Sequence, residues 1–160
     1  MIETAADGTY FEDIEVGPVQ VSSSVIFERD AIIAFARQWD PLPVHLDDNA
    51  ARAAGFDGLT ASGTHMLAVK QRLLHEFDLG PTVIASFGSD ETRYHAPARP
   101  GDVVELHFSW VSKRSSKSRP SCGIAQHLSE LRRIDGVLLL SILDTILIRR
   151  RVTEEVYRAS

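Results

Sequence analysis

The segment SGTHMLAVKQRLLHEFDLGP, residues 62–81, indicates the fold, because a helical pattern of residues ends in it and a strand pattern follows it. Apolar residues recur in it at helical spacing and form one stripe: Met66, Val69, Leu73 and Phe77. Lys70 and Arg72 are expected to lie off this stripe. Ser62 is a good N-cap, and Gly80-Pro81 ends the helix. The stretch therefore predicts one long amphipathic helix.

The helical period vanishes after Pro81. Four strands are predicted, over residues 82–94, 103–111, 123–133 and 137–150. Turn residues at 99–102, a basic loop at 113–120 and the hairpin signal Asp135-Gly136 separate them. The last strand is apolar on both faces, which favours a central position in a sheet covered by a helix.

Shorter elements are predicted before the long helix. They are a strand over residues 19–27, a helix from Asp30 to Trp39 or Asp40, and a short helix over residues 47–54. The first helix must end there, because Pro41 and Pro43 hold the residues before them in extended conformations. A strand, then helices, then consecutive antiparallel strands indicates an α+β fold in which one curved sheet wraps the long helix.

Composition and net charge indicate which broad class of protein this chain belongs to. A chain of 160 residues with 44% hydrophobic and 24% charged residues is typical of one globular domain, here taken as residues 1–160. The net charge of −5 argues against a nucleic-acid partner. Cys122 is the only cysteine, which favours a reducing compartment. Neither a signal peptide nor a run of ~20 apolar residues is present, so we expect a cytoplasmic protein with no membrane partner.

Two polar segments are candidates for chemistry. In the first, Asp40 and His45 flank a loop stiffened by two prolines, and such an acid–base pair can position and deprotonate a water. The alternative is that Asp40 caps the neighbouring helix and His45 is a loop histidine. In the second, Gly63 opens the long helix, and its backbone N–H could polarise a carbonyl. The alternative there is a simple cap by Ser62.

The two segments together resemble sequence motifs of a known protein family. FARQWDPLPVH (residues 35–45) resembles the hydratase-2 motif of the MaoC-like dehydratases, the (R)-specific enoyl-CoA hydratases. The likeness continues through GLTASGTH (58–65) and RYHAPARPGD (93–102), and the opening YFEDIEVG (10–17) is also similar. It covers nearly the whole chain.

The resemblance implies a hotdog fold, in which an antiparallel sheet wraps a long central helix. It further implies an enoyl-CoA hydratase or acyl dehydratase that adds water to, or removes it from, the 2,3 double bond of an acyl-CoA thioester. Asp40 and His45 would form the catalytic dyad, and the N–H of Gly63 would stabilise the enolate oxygen. The family also implies a homodimer or higher oligomer with active sites between protomers, and no cofactor beyond the CoA of the substrate.

Several side chains are expected to contact the substrate. Ser62 is expected to line the site, and His65, one helical turn further on, could edge it. Leu42 stands where the family usually has Asn or Gln, and Trp39 stands where it often has Gly. If these two and Phe56 enter the cavity, they shorten it and favour a short or medium acyl chain.

The residues also leave alternatives open. The basic cluster Lys113, Arg114, Lys117 and Arg119 is either a solvated hairpin tip or a site for the CoA phosphates. The histidines lack metal-ligand spacing, so no metal site is expected. A non-catalytic acyl-binding subunit is the main alternative function. A thioesterase would need a carboxylate on the long helix, where only Glu76 and Asp78 occur, at its far end.

Overall fold

A computed structural model describes residues 8–151. Three α-helices occur in this range: α1 Arg29–Trp39, α2 Asp48–Ala53 and α3 Gly63–Leu74. Six strands accompany them: β1 Val19–Val21, β2 Val25–Ile26, β3 Val83–Tyr94, β4 Val103–Ser115, β5 Cys122–Arg133 and β6 Leu138–Arg149. None of the helices between residues 8 and 151 has the length and apolarity needed to cross a membrane.

The strands form one antiparallel sheet in the order β1-β4-β5-β6-β3, with β2 also paired to β4. β6 lies between β5 and β3, as its two apolar faces predicted. The helix α3 packs against the sheet, and its stripe residues Met66 and Leu73 are 3% and 2% exposed. Burying a large apolar side chain contributes about 1.5–3 kcal/mol, so this contact between helix and sheet is the main stabilising layer.

Two predicted boundaries shift in the structure. The expected first strand is split into β1 and β2, because Ser22 uses its side chain in the ladder: its Oγ accepts the N–H of Leu106 at 2.9 Å. Ser23 then leaves the sheet and donates its N–H and its Oγ to Glu76, each at 2.7 Å. The strand β4 runs to Ser115 rather than ending at residue 111, because a register shift after Trp110 lets it keep pairing with β5.

The long helix also differs from expectation in its end and in one side chain. α3 ends at Leu74 and continues as a 3₁₀ turn over His75–Phe77. The expectation that Lys70 lies off the apolar stripe is wrong, because the residue is only 3% exposed. Lys70 follows Met66 by four residues and precedes Leu73 by three, so it faces the sheet with them.

The edge strand β3 is irregular. Its pairing with β6 shifts register between Val83 and Ala85, between Ser86 and Gly88, and between Asp90 and Arg93. Gly88 has φ +135°, a backbone conformation that residues other than glycine rarely adopt. Bulges of this kind are common at sheet edges and redirect the side chains that follow them.

Candidate active site

The loop after α1 brings the side chains of Asp40 and His45 close together. The N–H of Asp40 donates to Ala36 O at 2.9 Å and closes the helix. Pro43 then begins a 3₁₀ turn that ends at His45. The result is a distance of 3.8 Å between His45 Nε2 and Asp40 Oδ2. That gap is too long for a direct hydrogen bond and suits a bridging water.

The hydrogen bonds of His45 define which ring nitrogen can act as a base. Nδ1 lies 2.8 Å from the carbonyl oxygen of Thr60, which can only accept. Nδ1 therefore carries the hydrogen, and in the neutral ring Nε2 is the acceptor that faces Asp40. The side chain of His45 is 12% exposed and that of Asp40 is 29% exposed, so solvent reaches the gap mainly from the Asp40 side.

Ser62 couples the dyad to α3. Its Oγ donates to Asp40 Oδ2 at 2.5 Å and accepts the N–H of Thr64 at 3.2 Å. The same hydroxyl therefore orients the carboxylate and caps the helix. Because Ser62 is fully buried, water does not compete for either bond.

A second carboxylate holds the segment before Ser62 in place. Asp48 Oδ1 accepts the N–H of Leu59 at 2.9 Å, and its Oδ2 pairs with Arg29. The hydrogen bond from Leu59 and then the contact with Arg29 lower the pKa of Asp48 below its usual value. On the other side, the N–H of Ala61 donates to Ala98 O at 2.8 Å. The carbonyl of Thr60, which receives the His45 hydrogen, is thus fixed from both ends.

Gly63 is the first residue of α3, so its N–H has no acceptor within the helix. A Cβ at this position would lie 2.9 Å from Cζ of Tyr94, so glycine is the residue that fits beneath this ring. Tyr94 itself is 52% exposed at the end of β3. The helix N-terminus therefore offers a donor beneath an aromatic side chain and next to the residue that holds Asp40.

A cavity of about 600 Å³ runs along α3, between this helix and the strands β3 and β6. Thr64 and Thr92 line one end, next to Gly63 and Tyr94, and Leu79 and Val83 line the other. The N–H of Thr64 is the one that Ser62 accepts. Thr64 thus links the cavity to Ser62 and the dyad, although Asp40, His45 and Gly63 are not among the residues that line it.

The structure does not bring all predicted substrate contacts to this cavity. Trp39, Leu42 and Phe56 are 64%, 55% and 38% exposed and lie outside its lining, so they do not shorten it within the protomer. Trp39 is the last residue of α1, Leu42 lies in the loop that follows it, and Phe56 lies after α2. His65 stacks on Phe35, with ring centroids 4.5 Å apart, and Phe35 is the side chain that reaches the cavity. Burial lowers the pKa of His65 below its usual value.

The basic cluster lies at the end of β4 and in the loop that follows it. Lys113 is ten residues beyond Val103 on β4, which corresponds to about 33 Å along a strand. Its ammonium donates to the carbonyls of Phe11 and Ile14, at 3.2 and 2.7 Å, and thereby anchors the N-terminal segment. Arg114, Lys117 and Arg119 are exposed at the tip of the β4–β5 hairpin.

Sequence reasoning missed two residues of the site. Thr60 sets the tautomer of His45 through its carbonyl, a contact that no side-chain pattern signals. Tyr94 lies over Gly63, although it is separated from it by 31 positions along the chain. A detectable signal for both was their place in the two stretches that carried the resemblance, residues 58–65 and 93–102.

Fold and site together define a hotdog protein, in which an antiparallel sheet packs on a long helix with polar residues gathered at the helix N-terminus. The chain matches the MaoC like domain over residues 12–130 and belongs to that family. The family resemblance and the fold class predicted from the sequence are both confirmed.

Three similar proteins illustrate the relationship. The 3-hydroxybutyryl-CoA dehydratase of Methylorubrum extorquens is 31% identical over 138 residues, which cover 83% of this chain and 83% of that protein. The crystal structure of the MaoC-like dehydratase from Rhodospirillum rubrum has a TM-score of 0.83 and 35% identity, covering 91% of this chain and 100% of that one. The R-hydratase PhaJ1 of Pseudomonas aeruginosa shares the fold, with a TM-score of 0.72 at 18% identity over 90% of this chain and 88% of that one.

Proposed function

We propose that the protein is a hydratase or dehydratase that adds or removes water across the 2,3 double bond of an acyl-CoA thioester. The observation that carries the proposal is the gap of 3.8 Å between His45 Nε2 and Asp40 Oδ2, beside the N–H of Gly63. The relative named 3-hydroxybutyryl-CoA dehydratase supports this reaction class.

In the hydration direction, a water bridges the dyad. His45 Nε2 accepts its proton as the oxygen attacks Cβ, because Nδ1 already carries the hydrogen bonded to Thr60 O. The dyad then delivers a proton to Cα on the same face, so that water adds syn. Asp40 accepts a hydrogen bond from Ser62 and keeps one oxygen directed at the water.

Gly63 completes the reaction centre. Attack at Cβ moves negative charge onto the thioester oxygen, and a backbone N–H aimed at that oxygen lowers the barrier without needing to reorganise. A helix N-terminus suits this role, because its partial positive charge favours the enolate over the neutral thioester. Tyr94 covers this position and limits the approach of bulk water.

The thioesterase alternative has less support. The residues of α3 include no Asp or Glu, so no carboxylate on this helix can activate a water for attack on the thioester. Glu76 lies in the turn after α3, where both of its oxygens accept hydrogen bonds from Ser23.

Substitution of the dyad tests the proposal. Asp40→Asn keeps the shape without the charge, and His45→Gln removes the proton acceptor. Each is expected to lower the rate of hydration of a four-carbon enoyl-CoA by ~10²–10⁴-fold, the usual contribution of a general acid or base. The melting temperature of Asp40→Asn should change little, since Asp40 is partly exposed.

Matched controls are available outside the site. Asp57→Asn changes an 81% exposed carboxylate, and His107→Gln changes an imidazole on β4 that contacts Glu105. Both should retain activity. Equal losses of stability and activity in the dyad variants would instead show a structural role. Binding of acyl-CoA without turnover of any thioester by the unsubstituted protein would favour the acyl-binding alternative.

A further inference from the structure

A polar cluster lies beneath α3, and three of its four residues, Lys70, His127 and Asp144, are buried. Lys70 Nζ donates to Asp144 Oδ2, and Ser89 Oγ donates to Asp144 Oδ1. His127 Nε2 lies 3.9 Å from the same carboxylate. The side chains of Lys70 and Asp144 are only 4% and 9% exposed, so this ion pair is largely removed from solvent.

The sheet register assembles this cluster from distant parts of the chain. Ser89 on β3 is the partner of Asp144 on β6, and Asp144 is the partner of His127 on β5. The three side chains thus form one row across adjacent strands, on the face that packs against α3. Lys70 reaches this row from the helix above it.

All four side chains line the cavity of about 600 Å³. Their neighbours in its wall are mainly apolar and include Leu67, Leu74, Ile142 and Ile146. A plain hydrocarbon chain needs no ion pair in this wall, and burying one is unfavourable because each ion loses its hydration. The cluster therefore places an ion pair in a cavity wall whose other lining residues are mainly apolar but include Gln71, His75 and several hydroxyl side chains.

Lys70 retains hydrogen-bonding capacity. An ammonium carries three donors, and within the described part of the chain Lys70 Nζ donates to Asp144 alone. The charges of Lys70 and Asp144 cancel. Burial also lowers the pKa of His127 to about 4, so that ring is neutral at neutral pH. A site with spare N–H donors and no net charge suits a neutral oxygen acceptor better than a carboxylate.

The cluster also lies at a suitable distance from the proposed reaction centre. Lys70 follows Gly63 by seven residues, which corresponds to about 10 Å along the helix axis. An acyl chain whose thioester oxygen accepts the N–H of Gly63, and which runs along the cavity, would reach Lys70 well beyond the double bond.

We propose that the cavity selects acyl thioesters that carry a neutral oxygen function, a hydroxyl or a ketone, whose oxygen accepts a hydrogen bond from Lys70 Nζ. This inference rests on the proposed hydratase function and names its substrate class. Asp144 holds the ammonium in position, and Ser89 holds Asp144. A chain without the oxygen would leave the spare donors of Lys70 in an apolar contact.

The test compares the plain eight-carbon 2-enoyl-CoA thioester with a series of hydroxylated ones. Each member of the series carries one hydroxyl, on the fifth, sixth, seventh or eighth carbon. We expect the best hydroxylated thioester to exceed the plain one in kcat/KM by at least about tenfold, as a hydrogen bond from a charged donor implies. The Asp40→Asn protein should show the same preference in calorimetric binding, a readout independent of turnover.

The variant Lys70→Met/Asp144→Leu removes both charges together, which avoids leaving one buried charge without its partner. It should lose the preference, so that the hydroxylated and the plain thioester have the same kcat/KM. Arg132→Met/Glu130→Leu removes a partly exposed pair on β5 and serves as the control that keeps the preference.

Three outcomes would overturn the inference. One is equal kcat/KM for the two thioesters, which leaves the hydratase function intact. Another is a preference that survives Lys70→Met/Asp144→Leu. The third is a stronger preference for a terminal carboxylate than for the hydroxyl. Failure of every thioester to react would count against the hydratase function itself, and the binding comparison would then decide the inference separately.

Discussion

At the scale of single residues, the hydroxyl of Ser62 makes two hydrogen bonds, one that caps α3 and one that orients Asp40. It accepts the N–H of Thr64 and donates to Asp40 Oδ2. These two roles can be separated, because glycine at an N-cap costs only a few tenths of a kcal/mol whereas alanine costs about 1 kcal/mol.

Ser62→Gly is therefore expected to keep the melting temperature within a few degrees while kcat falls by roughly ten- to a hundredfold, since Asp40 loses the bond that orients it. Ser62→Ala should lose both stability and rate. Thermal unfolding and enoyl-CoA hydration measured side by side distinguish the two roles. Unchanged kcat in Ser62→Gly would show that the bond to Asp40 has no part in turnover.

His127 predicts a dependence of stability on pH. Burial lowers its pKa from 6.5 to about 4 in the folded protein, against the attraction of Asp144. Above pH 6.5 the ring is neutral in both states, and this contribution is fully present. As the pH falls from 6.5 to about 4, the unfolded chain takes up the proton and the folded one does not, so up to about 3 kcal/mol of stability is lost.

Urea unfolding across this pH range checks the prediction. In His127→Gln the ring is absent, so the part of the pH slope between 6.5 and 4 that it causes should disappear. Asp144 does not cause this part of the slope, because its pKa lies below this pH range. Burial alone would raise the pKa of its carboxyl, but the hydrogen bonds from Lys70 and Ser89 hold that pKa below its usual value. An identical slope in both proteins would mean that the ring is accessible to protons in the folded state.

At the scale of elements, the irregular strand β3 determines what the cavity presents. Its cavity-facing residues recur every third position rather than every second, and they are Val83, Ser86, Ser89 and Thr92. The three register shifts of β3 cause this spacing, because each bulge adds one residue and turns the next side chain back to the same face. Ser89 reaches Asp144 for this reason.

Gly88→Ala tests the bulge. No atom lies within 4 Å of a Cβ built on Gly88, so the substitution meets no steric contact, but its φ of +135° is strained for alanine. We expect a loss of about 1–3 kcal/mol in the free energy of unfolding and a change at Ser89. Denaturant unfolding measures the first effect, and the preference for the hydroxylated thioester measures the second. A neutral substitution would mean that β3 pairs regularly with β6.

Prediction from sequence succeeded where the cause is local and failed where it is distant. Helical spacing, Ser62 and the prolines after Asp40 were enough to predict the three helices and the loop of the dyad. The loss of the helical period after Pro81, with turn residues between the segments, predicted the four long strands. The spacing of Lys70 from Met66 and Leu73 already placed it on the buried face of the helix, and what the sequence did not report is its partner Asp144, which is 74 positions away. The bulges of β3 and the contact of Thr60 with His45 also depend on tertiary packing, which residue spacing does not report.

At the scale of the whole molecule, β3 leaves one edge of the sheet open. Among residues 8–151 it pairs with β6 alone, and all of its residues but Val83 are exposed. Ile84 and Phe87 are 39% and 59% exposed on this strand. An exposed edge with apolar side chains is a surface that proteins usually cover.

We therefore expect a symmetric homodimer in which β3 of each protomer lies at the interface, next to the cavity and Tyr94. Light scattering at micromolar concentration should give twice the mass of the chain. Ile84→Glu/Phe87→Glu places charges on this edge and should give monomers with reduced hydratase activity, because the site beside β3 loses its cover. Val19→Glu alters an exposed apolar residue on β1, at the opposite edge of the sheet, and should leave the dimer intact. A monomeric unsubstituted protein would refute the assembly, and a β3 variant that stays dimeric would place the interface on another face.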